Sequence, residues 1–339
     1  WRKKMKSPHT SLEEKHLPVM IDEVVEICNP KIGGNFMDCT FGGGGYSKAF
    51  LKFKNTNVLA IDRDSKVTKK ANKLSDQFKS RFLFFNKKFS QLDLVSTKKF
   101  DAVIFDLGIS SIQLDDLSRG FSFKSKNELN MSMGQTDRSA KNVLNTYAYH
   151  DLKEIIKTFG EEKDASKIAI NIIKDRQKKP LETTDELVRI IKKSKKRDYK
   201  KKINESTKTF QSIRIFVNHE ISELIEGIIK ATKVLKPGGK LVVVSFHSIE
   251  DKIIKFYFKN FSKNQSRSNK YLPENDSYLT LFENYKNKII KASSKEISKN
   301  PRSRSAKLRV AIRSKNKFKD PIELRNKFKN LTDLEERIA

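Results

Sequence analysis

Cysteine is nearly absent from this chain of 339 residues, which contains only Cys28 and Cys39. Neither residue belongs to a Cys-x-x-Cys motif or a Cys/His cluster, and the five histidines show no metal-ligand spacing. These absences exclude a disulfide framework and a cysteine-based zinc site, and we expect no metal. Two isolated thiols fit a protein of the reducing cytoplasm.

Long apolar runs are also missing. No stretch approaches the roughly 20 apolar residues that a helix needs to cross a bilayer. The first residues, Trp1–Met5, lack the apolar core of a signal peptide. We therefore expect a cytoplasmic protein with no membrane association.

Acidic residues are few beside the basic ones, since 41 Asp+Glu stand against 71 Lys+Arg and the formal net charge is +30. A surplus of this size attracts polyanions, so nucleic acid is the leading partner. Nine of the fourteen residues of Arg189–Lys202 are basic, and Lys286–Lys329 contains 16 basic and 3 acidic residues. A lysine-rich bias of the whole proteome would produce the same surplus, and both explanations stay open.

What is present is an alternation of strands and helices. A strand at 35–40 runs into the glycine-rich loop Phe41–Tyr46, and a helix follows to about Phe53. Further strands are predicted at 57–62, 81–85 and 100–107, with a helix at 65–74. Repeated βα units of this kind predict an α/β fold with a doubly wound, mostly parallel sheet.

The pattern changes after Ser111 and resumes late in the chain. Helices are predicted at 140–146, 151–159, 164–178 and 184–196 with no strand between them, which indicates a helical insertion. A long helix from Phe210 to Leu235 then leads back to the sheet. The remaining predicted elements are a first helix at 18–28, a buried strand at 240–246, a helix at 250–261, a loop at 262–280, an edge strand at 306–312 and a charged tail at 314–339.

The glycine-rich loop indicates a nucleotide cofactor. Glycines after a strand let the backbone approach a ligand, and Gly44, Gly45 and Tyr46 would line that turn. Asp62 ends the second strand, where a carboxylate can accept hydrogen bonds from both ribose hydroxyls of an adenosine-containing cofactor. An ordinary tight turn and a surface or helix-capping Asp are the alternatives.

NAD and S-adenosylmethionine both satisfy this loop and carboxylate. The segment Leu235–Leu241 ends a helix and starts a buried strand late in the chain, which is typical of class I methyltransferases. Asp106 ends the fourth strand, at the sheet edge where ligands of open α/β folds bind. Its carboxylate is a candidate catalytic acceptor for an amine proton, with cofactor positioning and helix capping as alternatives.

Several ordered phrases carry a more specific resemblance. They are Asp38–Ser47 (DCTFGGGGYS), Ala60–Asp64 (AIDRD), Asp106–Asp116 (DLGISSIQLDD), Arg119–Phe123 (RGFSF), Phe159–Glu162 (FGEE), Thr209–Asn218 (TFQSIRIFVN), Ser245–Asp251 (SFHSIED) and Asn300–Ser305 (NPRSRS). From about His16 to Arg313 the chain resembles the RsmH (MraW) family of 16S rRNA cytosine-N4 methyltransferases.

The resemblance implies a set of cofactor contacts. They are Gly44, Gly45, Tyr46, Asp62, Phe89, Asp106 and Gln113. Phe89 would lie beside the adenine and Gln113 would hydrogen-bond the cofactor, with core packing and a surface amide as the alternatives. The family usually has His, Pro, Asp and Arg where this chain has Tyr46, Ile112, Asn130 and Ser132. The last two changes remove charges on the implied substrate side.

A base inside structured RNA must leave its stack to reach a pocket, so aromatic and Arg residues are expected beside the active site. The candidates for this surface are Arg119, Phe121, Phe123, Arg214, Asn218 and His247. Each has a structural alternative: the Phe residues as core, Arg214 as an ion-pair partner, and His247 as a hydrogen-bonded loop residue.

The resemblance also implies domains, cofactor and partners. A class I (Rossmann-like) methyltransferase core would comprise 16–112 and 208–313, with a helical substrate-recognition insertion at 113–207 and a basic tail at 314–339. The implied reaction moves a methyl group from S-adenosyl-L-methionine to N4 of a cytidine in the decoding region of 16S rRNA, within the small ribosomal subunit. A homodimer is an open prediction. The competing functions are an NAD-dependent oxidoreductase and an RNA-binding assembly factor that has lost catalysis.

Overall fold

The computed structural model describes residues 18–195, 204–263 and 280–338. One seven-stranded sheet organises the chain. Its strands are β1 (Gly34–Asp38), β2 (Thr56–Ile61), β3 (Phe82–Phe85), β4 (Phe100–Asp106), β5 (Leu235–Ser245), β6 (Ile290–Lys291) and β7 (Lys307–Ile312). Their order is β3-β2-β1-β4-β5-β7-β6, with β1 to β5 parallel and β6 and β7 antiparallel. The predicted doubly wound, mostly parallel α/β sheet is confirmed.

The strand sequences explain why this sheet is buried on both faces. Ala102–Phe105 in β4 and Leu241–Val244 in β5 have fully buried side chains, as expected for central parallel strands covered by helices. The chain order reverses between β1 and β4, which lie side by side. In open α/β sheets the crevice at such a reversal, beside the carboxyl ends of the strands, is the usual ligand site.

The helices cover both faces of the sheet. They are α1 (Ile21–Cys28), α2 (Gly45–Leu51), α3 (Thr68–Phe78), α4 (Ser111–Asp115), α5 (Ala140–Thr146), α6 (Tyr149–Gly160), α7 (Ala165–Arg176), α8 (Thr184–Ser194), α9 (Thr207–Asn218), α10 (Glu220–Val234), α11 (Ser248–Asn260), α12 (Ser294–Lys299) and α13 (Ile322–Glu335). Of these, α4 to α10 lie between β4 and β5 in the chain. One apolar cluster contains residues of β1 and β4 together with residues of α5 to α10. The inserted helices therefore share a continuous core with one face of the sheet.

The single long helix predicted from Phe210 to Leu235 is wrong. The structure has two helices there, α9 and α10, separated by His219 in the left-handed conformation with φ 51°. His219 closes the first helix through a backbone N–H that donates to the carbonyl of Ile215. Apolar residues keep the helical period on both sides of the break, so the periodicity did not reveal it.

The segment 314–339, predicted as a charged tail, contains α13. Leu324 and Leu334 are buried against the core, and Glu335 is fully buried. The Glu335 carboxylate accepts hydrogen bonds from the backbone N–H groups of Ile221 and Ser222, at 2.8 Å each. This helix is therefore anchored on the first turn of α10, where free N–H groups attract a carboxylate.

Two segments singled out in the sequence extend beyond the residues that the structure describes. Residues 196–202 of the basic run and residues 264–279 of the predicted loop lie outside the described residues. Within the described ranges, no helix combines the length and the apolar character needed to cross a membrane.

Candidate active site

A cavity of about 1060 Å³ opens at the carboxyl ends of β1, β2 and β4. The predicted cofactor residues that line it are Gly45, Tyr46, Asp62, Phe89, Asp106 and Gln113. Gly44 is the exception, because it lies beneath the loop, where an added Cβ would come within 2.8 Å of the Phe41 ring. The structure thus brings together at one cavity six predicted residues from several separate segments of the sequence.

The glycine-rich loop is held in a conformation that other residues rarely adopt. Gly42 and Gly44 have φ values of 51° and 75°, in the left-handed region that favours glycine. A Cβ at Gly45 would lie 2.1 Å from the ring of Pro18, so the N-terminal segment packs directly on the start of α2. A Cβ at Gly43 would meet nothing within 4 Å. The loop is therefore tightly packed against the protein at Gly44 and Gly45 and open at Gly43, which lines the cavity.

Asp62 connects this loop to the end of β2. Its Oδ2 accepts the N–H of Gly42 at 2.7 Å, and its Oδ1 accepts the N–H of Asp64 at 2.9 Å. Each carboxylate oxygen has a second lone pair that can accept from a ligand in the cavity. Burial raises the pKa of Asp62 to about 6, and the charges of Asp64 and Asp38 add to the rise.

Asp106 ends β4 and faces the same cavity. Its backbone N–H donates to the Thr40 hydroxyl at 2.8 Å, which fixes the strand end beside the glycine-rich loop. Its Oδ1 is buried and has no hydrogen-bond partner among the described residues. Burial, followed by the charges of Asp38 and Glu250, holds the pKa of Asp106 well above its usual range. The helix-cap alternative is wrong, because Ser110 caps α4.

The side chains of Phe89, Gln113 and Tyr46 are held by the protein itself. The Phe89 ring packs edge-on against Phe105 with centroids 5.5 Å apart and still lines the cavity. The Gln113 amide donates to Asp64 at 3.0 Å and accepts the N–H of Ser110 at 3.0 Å. The buried Tyr46 hydroxyl donates to the carbonyl of Val19.

The predicted substrate-side residues do not line this cavity. Arg119 is buried and donates to the Asp64 carboxylate and, at 2.8 Å, to the carbonyl of Ser132. Its guanidinium lies 5.3 Å from the ring centroid of Phe121, which is buried as well. Phe123 packs edge-on against Phe210. These contacts give all three residues structural partners inside the protein.

Arg214 and His247 belong to a charge network instead. Arg214 donates to both carboxylate oxygens of Glu220, at 2.7 and 2.8 Å, and Nε2 of His247 lies 3.1 Å from Glu250 Oε1. Glu220, His247 and Glu250 place one possible metal-ligand atom each within 4.8 Å of one another. The spacing of the histidines did not indicate this cluster, since it contains a single histidine and Glu220 lies on α10, whereas His247 and Glu250 lie at the start of α11. The guanidinium of Arg214 already engages the oxygens of Glu220 that a metal ion would need.

Asn218 ends α9 and is fully buried. Its side-chain amide donates to the carbonyl of Met131 at 2.8 Å, and its oxygen accepts the N–H of Met133 at 2.7 Å. The backbone carbonyl of Asn218 accepts from Arg63 at 2.7 Å. Asn218 therefore holds the 131–133 loop, whose last residue lines the cavity.

We expect Asn218→Ala to lower the free energy of unfolding by about 3 kcal/mol, because two buried backbone groups lose their partners at about 1–3 kcal/mol each. Urea denaturation followed by circular dichroism measures the change. Asn72→Ala, at an exposed position of α3, is the matched control and should stay within about 0.5 kcal/mol of the wild type. Equal stabilities of the two variants would show that the Asn218 amide does not hold the loop.

Some cavity residues received no role from the sequence. They are Thr40, Phe246, Asn300 and Arg302. Phe246, Asn300 and Arg302 belong to phrases that support the family resemblance, which was the available signal. Their position beside the strand ends depends on the antiparallel return of β7 to β5, which the linear sequence does not reveal.

The sequence is similar to those of known methylases over most of its length. Residues 13–314 match the MraW methylase family. Ribosomal RNA small subunit methyltransferase H of Ehrlichia canis is 43% identical over 303 residues, which cover 88% of this chain and 99% of that protein. Its namesake in Bartonella bacilliformis is 42% identical over 305 residues, with 89% and 90% covered. A solved rRNA methylase from Streptococcus thermophilus covers 86% of this chain and 96% of its own at 11% identity and a TM-score of 0.38, too low to support an argument.

Proposed function

Because the chain belongs to the MraW methylase family, we propose that it transfers a methyl group from S-adenosyl-L-methionine to N4 of a cytidine in the decoding region of 16S rRNA. The methyltransferase names of the E. canis and B. bacilliformis relatives support small-subunit rRNA as the substrate. The small ribosomal subunit would be the partner and the cytoplasm the location. Membership of a methylase family favours S-adenosylmethionine over NAD as the cofactor of the glycine-rich loop, and so argues against an NAD-dependent oxidoreductase. Homodimer formation stays a prediction.

The residues of the cavity fit an adenosine-containing methyl donor. Asp62 offers free lone pairs on both oxygens for a ribose, and Phe89 presents an apolar ring to an adenine. The observation that carries the proposal is the Asp106 carboxylate, which lines the same cavity and whose buried Oδ1 has no hydrogen-bond partner among the described residues. When bound, S-adenosylmethionine supplies a methyl group activated by a positively charged sulfur.

The chain's own contribution is alignment and proton acceptance. Cytosine N4 is a poor nucleophile because its lone pair is delocalised into the ring, so holding the amine in line with the methyl group supplies much of the rate. Asp106 would accept a hydrogen bond from the amine, favour the developing tetrahedral nitrogen and take its proton. Asp62 and the glycine-rich loop would hold the cofactor while Asp106 faces the acceptor.

The direct test is incubation of the purified protein with tritiated S-adenosylmethionine and small ribosomal subunits from cells that lack cytosine-N4 methylation. Nuclease digestion and mass spectrometry then locate the label. Label on N4 of one decoding-region cytidine is the expected result. Label at another position would overturn the substrate assignment, and cofactor binding without any label would favour an assembly factor that has lost catalysis.

The pKa of Asp62 predicts how cofactor binding depends on pH. Ribose hydroxyls donate to the ionised carboxylate, whose pKa is about 6 in the free protein. Protonation below that value removes the acceptor, so the affinity for S-adenosylmethionine should fall about tenfold from pH 7 to pH 5. Isothermal titration calorimetry measures it. Asp62→Asn should bind weakly and lose the part of the pH dependence that Asp62 causes, and a wild type whose affinity does not fall from pH 7 to pH 5 would contradict the assignment.

A further inference from the structure

The turn Asn300–Ser305 forms one wall of the cavity that contains Asp106. Asn300 and Arg302 both line it. The Asn300 side chain accepts the N–H of Arg302 at 3.3 Å, and the buried Ser303 hydroxyl donates to the Asn300 carbonyl at 2.7 Å. Ala306, also buried, leads directly into β7. Because the turn is anchored on both sides, the position of the Arg302 side chain is defined before any ligand arrives.

The Arg302 side chain crosses from this turn to α4. One terminal nitrogen donates to the Ser111 hydroxyl at 2.5 Å and the other to Asp115 Oδ1 at 2.9 Å. The side chain keeps 39% of its surface exposed. A guanidinium has five N–H donors in a rigid fork. Donors beyond these two contacts are therefore available to an anion at the cavity edge.

The other cations of the cavity occupy different places. Arg63 is buried and donates to the carbonyls of Gly134 and Asn218. The lining lysines lie beyond the glycine-rich loop, on α2 (Lys48), directly after it (Lys52) and on α3 (Lys70 and Lys73). Arg302 instead contacts α4, which begins five residues after Asp106.

The position of Arg302 matters for the electrostatics of the cavity. The carboxylates of Asp62 and Asp106 face the cavity and would repel the phosphates of an entering RNA. A cation at the rim offsets that repulsion, and the fork of an Arg matches the oxygens of a phosphodiester. Arg304 and Lys299 are exposed next to Arg302 and extend the same sign of charge along the rim.

We infer that Arg302 binds a backbone phosphate of the RNA substrate beside the nucleotide that receives the methyl group. The inference rests on the proposed function and adds a substrate contact to it. Asp115 then competes with the phosphate for the charge of the guanidinium, which the Ser111 hydroxyl also holds beside α4.

Three variants test the inference through the affinity for small ribosomal subunits that lack cytosine-N4 methylation, measured by filter binding over a range of salt concentrations. Arg302→Gln should weaken binding about tenfold, as expected for one charge-assisted contact. It should also reduce the slope of log affinity against log salt by about 1, because one phosphate contact is lost. Lys295→Gln removes the same charge from an exposed position of α12 and should change the affinity by less than about twofold.

Asp115→Asn separates phosphate binding from a purely structural role. If Arg302 binds phosphate, removing the neighbouring negative charge should leave affinity unchanged or increase it. If Arg302 only holds α4 in place, Asp115→Asn should weaken binding as Arg302→Gln does, and the inference is overturned. A loss of S-adenosylmethionine affinity in Arg302→Gln would also overturn it, by assigning the cation to the cofactor.

The outcome also distinguishes this inference from the function on which it rests. If the wild-type protein neither binds nor methylates small subunits, both the proposed function and the phosphate contact are contradicted. A wild-type protein that methylates them, with Arg302→Gln and Lys295→Gln equal in affinity and salt slope, would remove only the phosphate contact.

Discussion

Replacing Asp62 with alanine should weaken S-adenosylmethionine binding by about 100-fold or more, and methyl transfer should fall about tenfold or more at a cofactor concentration of about ten times the wild-type Kd. Two hydrogen bonds from ribose to a charged acceptor would be lost, and each contributes about 1.5–3 kcal/mol. The N–H of Gly42 would also lose its acceptor, so the glycine-rich loop would be less well held. Isothermal titration calorimetry gives the affinity, and transfer of tritium to small subunits gives the activity.

Asp76→Ala is the matched control for this change. Asp76 is exposed on α3, so its substitution removes the same carboxylate without touching the cavity. Thermal unfolding of both variants shows whether the fold is intact. An Asp62→Ala protein that binds the cofactor as tightly as the wild type would place the cofactor elsewhere in the cavity and remove the basis of the predicted pH dependence.

The sheet and the meeting of Asp62 and Asp106 at one cavity could be predicted because their signals are local. Buried parallel strands consist of consecutive apolar residues, as Leu241–Val244 show, and each predicted strand lies within a few residues of an observed one. In a parallel sheet the residues after successive strands meet at one edge, so Asp62 and Asp106 come together without any knowledge of the loops. The glycine-rich loop lies at the same edge for the same reason, since it directly follows the first strand.

The substrate side could not be predicted in the same way, because burial and pairing there depend on distant segments. Arg119 was a candidate RNA contact, but its partner Asp64 lies 55 residues earlier in the chain. Arg214 pairs with Glu220 across the break at His219, which the helical period conceals. An Arg in a sequence looks the same whether it faces RNA or a buried carboxylate, and only the fold distinguishes the two.

Asp106→Asn should lower kcat by about 100-fold or more, within the range that general base catalysis contributes, while the Kd for S-adenosylmethionine changes less than about threefold. Asparagine keeps the shape and one acceptor oxygen but cannot take a proton. The pKa of Asp106 is raised mainly by burial, and a positive charge bound beside it would lower that pKa and favour the ionised acceptor. Single-turnover transfer at saturating cofactor measures the chemical step.

Asp101→Asn makes the same chemical change in the same strand, at the amino end of β4 and away from the cavity, and should leave the chemical step unaffected. If Asp106 instead positions the cofactor, Asp106→Asn should have the opposite effects. The Kd for S-adenosylmethionine would rise, and kcat would recover at high cofactor concentration. The division between kcat and Kd therefore decides whether the Asp106 carboxylate, which lines this cavity, serves the acceptor amine or the cofactor.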